Sequence, residues 1–257
     1  MEDLRVNLMQ WNLKWEDPEA NRIEAARILS QQKPDTDVLI MPEMFTTGFS
    51  MNTPEICEKS SGDTEKWMKA LSQQLNCAVA GSVATKIKDQ IFNRFLFVTP
   101  SKTFFYDKRH LFRMAGEHEK YHAGNKRVVV EWKNWRIKLE VCYDLRFPIF
   151  SRNAGDYDLL INVANWPAKR SFHWKTLLLA RAIENQAFVI GVNRIGEDVN
   201  GYKFSGDSLA INPKGETILD MEEREGCEQA SFSHSELINY REKFPCHKDA
   251  DKFDLLI

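Results

Sequence analysis

The chain has 257 residues, 43% of them hydrophobic and 28% charged, the proportions of an ordinary soluble globular protein, which argues against disorder, collagen-like repeats and membrane spans together. Its 35 basic and 37 acidic residues give a net charge of -2, so no global field recruits nucleic acid or an anionic membrane, and partners have to be argued from sites. The cysteines at 57, 77, 142, 227 and 246 are odd in number and form no Cys-x-x-Cys pair, which fits a reducing compartment better than a disulfide framework or a zinc ribbon.

The amino terminus, Met1 to Asn7, is charged and has no apolar run. Neither a signal peptide nor a membrane anchor is read there, and a cytoplasmic location is expected. Short runs rich in Val, Ile and Phe then alternate with helix-spaced segments along the whole length, so one mixed α/β domain over 1–257 is expected. A strand is predicted over Val6 to Met9, followed by a helix with Ala20, Ile23 and Ala26 toward the core, and the strand Val38 to Met41 is ended by Pro42. A helix over Thr64 to Leu75 has Trp67, Met68, Leu71 and Leu75 on one face and precedes the strand Ala78 to Val83. Ile91 to Val98 and Thr103 to Tyr106 bracket the turn Pro100-Ser101-Lys102 and are expected to form a hairpin.

Residues 109–126 hold many charges, two glycines and no clear period, the mark of a site-forming loop. Strands are predicted at Val128 to Trp132 and Ile137 to Val141, a helical stretch after Cys142, a strand at Leu159 to Val163, and a helix over Ser171 to Gln186 with Leu177, Leu178 and Ala182 buried. The strand Ala187 to Val192, a hairpin of Ser208 to Asn212 with Thr217 to Met221, a strand near Gln229 to Ser233 and a helix from about Ser235 complete the order.

Glu43, Lys108 and Cys142 share one position type, just past a predicted strand, where α/β sheets bring reactive groups together. A thiol needs a base, because the thiolate is the nucleophile and an ordinary cysteine is only slightly ionised at neutral pH. Glu43 is a candidate base, made more effective if burial raises its proton affinity. Lys108, if close to Cys142, would depress the thiol pKa and then stabilise the oxyanion formed when sulfur attacks a carbonyl or nitrile carbon, with the backbone amide of Tyr143 as second donor. Read singly, each has a plainer explanation: a small buried hydrophobe for Cys142, a solvated carboxylate for Glu43, a basic surface run for Lys108-Arg109-His110.

Pro42-Glu43, Tyr106-Asp107-Lys108-Arg109-His110-Leu111-Phe112 and Val141-Cys142-Tyr143-Asp144-Leu145-Arg146-Phe147-Pro148 resemble, in order, the three signature blocks of the nitrilase superfamily, carbon-nitrogen hydrolases with a Glu-Lys-Cys triad. Further matches are His173-Trp174, Arg181-Ala182-Ile183-Glu184-Asn185, Asn193 and Gly206-Asp207-Ser208, so the resemblance spans nearly the whole chain. Phe112-Arg113-Met114-Ala115, Ala164-Asn165-Trp166-Pro167 and Tyr240-Arg241-Glu242-Lys243-Phe244-Pro245 are similar to bacterial omega-amidases, which hydrolyse the terminal amide of 2-oxoglutaramate and 2-oxosuccinamate. The resemblance implies a four-layer α-β-β-α sandwich, dimerised through helices, with no cofactor or metal. It makes Glu43 the base, Lys108 the oxyanion donor and Cys142 the nucleophile. Glu117 would orient the lysine or substrate, with Glu119 nearby as the alternative, Arg146 would face a substrate carboxylate, and Trp166 would wall the pocket. Against that role, Arg146 could simply form a structural ion pair with Asp144 or another acid. One departure is Ile149, where many relatives carry an acid.

His118-Glu119-Lys120-Tyr121-His122 reads as His-Glu-x-x-His, the zincin signature. It needs a helix with an apolar inner face, whereas Gly116 and Gly124 flank this segment and no third-ligand spacing follows. The sequence thus favours a cysteine amidase acting on a small acidic amide through a thioester. N-carbamoyl amidase, deaminated-glutathione amidase and nitrilase are its relatives in chemistry, and a zinc protease or a non-catalytic binding module the readings of another class.

Overall fold

The computed structural model describes residues 3–32 and 34–256; Met1 and Glu2 of the charged terminus, and Ile257 at the far end of the expected domain, lie outside them. The first half holds strands β1 (Leu4–Gln10), β2 (Val38–Ile40), β3 (Glu58–Lys59), β4 (Ala78–Ile87), β5 (Gln90–Val98) and β6 (Thr103–Asp107), with helices α1 (Pro18–Gln32), α2 (Thr53–Ile56) and α3 (Asp63–Leu75). In the second half are β7 (Val129–Trp132), β8 (Trp135–Val141), β9 (Leu159–Val163), β10 (Phe188–Val192), β11 (Ile195–Glu197), β12 (Lys203–Ser205), β13 (Leu209–Ile211), β14 (Thr217–Asp220) and β15 (Gly226–Phe232). Its helices are α4 (Glu117–Lys120), α5 (Pro148–Ser151), α6 (Ser171–Asn185) and α7 (His234–Lys243).

Among the described residues one large sheet runs β15-β1-β2-β4-β5-β6, with β3 beside β4, a second runs β14-β13-β10-β9-β8-β7, and β11 and β12 form a separate two-stranded sheet. Each large sheet has a parallel centre, β1-β2-β4 or β8-β9-β10, and antiparallel strands toward its edges. The two large sheets pack face to face through Val6, Leu8, Ile40 and Phe97 on one side and Leu139, Ile161, Val163 and Ile190 on the other. Helices α1 and α3 cover the outer face of the first sheet, and α6 that of the second. The result is the α-β-β-α sandwich that the resemblance implies. Because the central strands are covered on both faces they read as apolar runs, as in Val38–Ile40, buried at every position.

The sequence misplaces one helix face. Ala20, Ile23 and Ala26 were expected inward, yet Ile23 is 62% exposed and the buried face of α1 is Asn21, Ala25, Ile28 and Leu29. A polar residue sets the rotation: Asn21 Nδ2 donates to the carbonyls of Lys14 at 2.6 Å and Thr46 at 2.7 Å, and its Oδ1 accepts from the Lys14 amide at 2.8 Å. Facing outward, α1 would leave those carbonyls unpaired, so a satisfied amide outweighs one exposed Ile.

Candidate active site

The three strand-end residues meet where the sheets face each other. Glu43 follows β2, Lys108 follows β6 on the same sheet, and Cys142 follows β8 on the opposite sheet. Glu43 and Lys108 are fully buried, whereas Cys142 is half-buried and lines a cavity of about 450 Å³. Cys142 has φ +47°, and Met44, directly after Glu43, has φ +42°. Left-handed backbone at non-glycine residues costs about 1–2 kcal/mol each and persists where surrounding structure enforces it, commonly at reactive sites. At Cys142 the enforcement comes from the turn Cys142–Arg146, a single 3₁₀ segment anchored when Asp144 Oδ2 accepts from the Val141 amide at 3.0 Å.

Lys108 Nζ donates to Glu43 Oε1 at 2.9 Å and to both oxygens of Glu117 at 3.0 Å. Burial by itself would depress the ammonium, but Glu117 and Glu43 together raise its pKa, so the lysine stays charged. Burial raises the Glu117 carboxyl against the pull of Lys108, with Glu43 adding to the rise. Glu117 Oε2 also accepts from the Phe112 amide at 2.5 Å, and Asn93 Nδ2 bridges Glu43 Oε1 at 2.8 Å and Glu117 Oε1 at 3.2 Å. Asn165 closes the cage by donating its backbone N–H to Glu43 Oε2 at 2.8 Å. The Cys142 thiol is pushed well above its ordinary value, by burial first, then by Glu43, and Lys108 only partly offsets them. A hydrogen bond to Glu43 adds to the shift, so the resting sulfur is a thiol already placed against a carboxylate.

Of the two candidate glutamates Glu117 is the one at the lysine; Glu119 is exposed. The expected loop 109–126 contains the single turn α4, whose first residue is Glu117. Hence the zincin reading fails on geometry: His122 lies beyond the end of this one-turn helix, and His118, Glu119 and His122 all face outward. His122 sits against the Phe92 ring at 5.9 Å instead. Among the described residues no group of three His, Cys, Asp or Glu is placed to hold a metal ion.

Arg146 and Trp166 line the same cavity as Cys142, together with Phe49, Phe112 and Tyr202. The Arg146 guanidinium carbon lies 4.7 Å from the Trp166 ring centroid and one of its nitrogens 3.3 Å from His173 Nδ1. The alternative ion pair with Asp144 is overturned. Asp144 is buried and accepts from Tyr106 Oη at 2.7 Å, the His110 amide at 3.0 Å and His110 Nδ1 at 2.7 Å, tying the Lys108 strand end to the cysteine turn. Tyr143 is the second residue of that turn, where backbone N–H groups have no acceptor within the helix. Residue-by-residue reading missed Asn93, which stands with Arg94 between the apolar pair and the apolar run of β5, and that polar pair inside the strand was the available signal.

The carbon-nitrogen hydrolase family model matches residues 5–241. The omega-amidase YafV of Escherichia coli (strain K12) is 51% identical over 257 residues, covering 99% of this chain and 100% of that protein. A 2-oxoglutaramate amidase of Bacillus subtilis (strain 168) is 30% identical, with 96% and 97% of the two chains covered. The crystal structure of a CN-hydrolase superfamily protein from Xanthomonas campestris, with an arsenic adduct in its active site, superposes with a TM-score of 0.97 at 43% identity, covering 99% of this chain and 100% of that one.

Proposed function

The chain belongs to the carbon-nitrogen hydrolase family, and from that premise we propose that it is a cysteine-dependent omega-amidase, releasing ammonia from the terminal amide of small 2-oxo acid amides such as 2-oxoglutaramate and 2-oxosuccinamate. The observation that carries the reading is a single cavity lined by both Cys142 and the Arg146 guanidinium: a nucleophile at one point, a fork suited to carboxylate at another. Full-length relatives named for omega-amidase and 2-oxoglutaramate amidase activity support it.

Glu43 takes the thiol proton as sulfur attacks the amide carbon, and the oxyanion is held by Lys108 and the Tyr143 N–H. The tetrahedral intermediate collapses with loss of ammonia, which carries away the proton from Glu43, and leaves a thioester. Glu43 then deprotonates a water molecule that attacks the thioester; the C–S bond breaks, and the proton returns to sulfur as the acid departs. Glu117 positions Lys108, and Trp166 walls the pocket and backs Arg146. No cofactor enters the scheme.

We read residues 1–257 as one domain, and the protein as a cytoplasmic homodimer. Free cysteines at all five positions suit a reducing compartment, and among the described residues no helix is long and apolar enough to cross a membrane. Exposed Phe172 and Ile183 on α6, with Ile149 on α5, offer apolar surface for pairing through helices. The test is ammonia release from 2-oxoglutaramate, 2-oxosuccinamate, glutamine, a carbamoyl amino acid and a simple nitrile, with Cys142→Ala as the inactive control. Turnover is expected on the 2-oxo acid amides; activity confined to the nitrile, or retained by Cys142→Ala, overturns the assignment.

A further inference from the structure

The Cys142 cavity holds a second cation outside the family's signature blocks. Arg170 ends the 3₁₀ turn Ala168–Arg170 ahead of α6, is half-buried, and lines the cavity with Arg146. Its guanidinium carbon lies 5.5 Å from the Phe112 ring centroid, while Arg146 stacks on Trp166. Trp166 in turn is locked to Arg170, its Nε1 donating to the Arg170 carbonyl at 2.8 Å. An aromatic face supports a guanidinium without consuming its N–H donors, so that Arg146, with one nitrogen 3.3 Å from His173 Nδ1, keeps its others for an anion. Both acids that line the cavity have hydrogen-bond donors of their own: Glu16 accepts from Ser50 Oγ at 2.5 Å and Asn52 Nδ2 at 3.0 Å, and Asp198 from the amides of Asn200 at 2.9 Å and Tyr202 at 3.0 Å. Among the described residues no carboxylate forms an ion pair with Arg146; burial first, then the charge of Arg170, lowers its pKa, against the opposite pull of Tyr143 and Cys142.

Two like charges held on aromatic supports in one cavity, whose two lining acids have donors of their own, suit an anion. A 2-oxo carboxylate offers three acceptor oxygens, whereas one guanidinium fork engages two. We propose that Arg170 is a substrate-recognition residue, which with Arg146 clamps the 2-oxo acid end of the substrate and sets the preference for it over a plain carboxylate or a neutral amide. The inference rests on the omega-amidase reading and names the group that reads the 2-oxo oxygen.

The test compares the wild type with Arg170→Met and Arg170→Lys on 2-oxoglutaramate, on glutaramate, which lacks the 2-oxo oxygen, and on neutral pentanamide. Loss of a charge-assisted hydrogen bond predicts that Arg170→Met raises KM for 2-oxoglutaramate about 10- to 100-fold. The loss falls on KM far more than on kcat and removes most of the preference over glutaramate, and Arg170→Lys recovers part of it. An unchanged KM, or an equal loss on all three substrates, overturns the clamp while leaving the amidase reading intact. A wild-type enzyme that ignores 2-oxoglutaramate overturns the reading and the clamp together.

Discussion

Replacing Lys108 by methionine tests the charge arrangement and the chemistry at once. Its Nζ makes one contact of 2.9 Å to Glu43 and two of 3.0 Å to Glu117, with all three side chains fully buried. Methionine fills a similar volume but leaves two carboxylates facing each other across the Asn93 amide. Removing one partner of a buried pair costs about 3–5 kcal/mol, and each kcal/mol moves Tm by about 2–4 °C in a domain of this size. A fall of about 6–20 °C follows from those two figures. The pH dependence has a definite sign. Glu117 is already raised above 4.5 by burial and by Glu43, against the pull of Lys108, and without the ammonium it rises further. A folded pKa above the unfolded one gives stability that is complete below 4.5 and lost as pH climbs through the folded value. The Tm deficit of the variant therefore widens from pH 5 to pH 8. In the proposed mechanism Lys108 is an oxyanion donor, and its loss lowers kcat by about 10²- to 10³-fold. Calorimetry across this pH range and an ammonia assay read both effects. Lys108→Met/Glu117→Gln, which removes the second buried charge, regains stability at pH 8 without regaining turnover. A Lys108→Met protein that melts like the wild type at every pH, or whose deficit shrinks as pH rises, refutes the arrangement.

The raised thiol of Cys142 predicts that inactivation by iodoacetamide accelerates continuously with pH through pH 9, because the reactive thiolate is scarce below its pKa; a rate that plateaus below pH 7 contradicts a resting thiol. Asp144→Asn puts an amide donor where a carboxylate accepts from Tyr106, His110 and Val141. It should cost about 1–3 kcal/mol of stability for the donor left unpaired and lower kcat about 10²-fold as the cysteine turn shifts from the lysine. A stability loss with kcat unchanged would show that the tether does not position the nucleophile.

Legibility followed burial. Of the strands that end at the site, β2 was readable as a buried apolar run, whereas β6 is a part-exposed edge strand and β8 carries Arg136, Lys138 and Glu140 among its apolar residues; their β-branched and aromatic content still marked the strand ends where Glu43, Lys108 and Cys142 lie. Where a polar group sits inside, the apolar pattern is a poor guide: Asn21 turned α1 away from the predicted face, and Asn93 in β5 drew no reading. The choice between Glu117 and Glu119 was open in the sequence because a one-turn helix has no period to read. Nor does spacing reveal which arginine faces a cavity. Arg146 and Arg170 are 24 positions apart, on the turns after β8 and β9, and only the pairing of those strands brings them together. His118 and His122 show the converse, a motif whose spacing is right and whose helix ends too soon.

In the proposed mechanism the cluster's charge is what makes a neutral thiol useful. Two carboxylates and one ammonium carry an excess negative charge, so a thiolate beside them would be a second, and the thiol is raised accordingly. When Glu43 accepts the sulfur's proton, the negative charge passes from that carboxylate through sulfur to the oxyanion, and the total in the buried site is unchanged. Lys108, which held Glu43 at 2.9 Å, loses that charged partner at the moment the oxyanion gains its charge. Glu117, hydrogen-bonded to Lys108 through both oxygens, keeps the ammonium in place during the exchange. The lysine need not be recruited or desolvated at the transition state, because the protein has already met that cost in folding. By the same logic Glu117→Gln leaves Lys108 with Glu43 as its one carboxylate partner, which tightens the resting pair and slows attack, so that a second glutamate outside the proton path is still required for turnover.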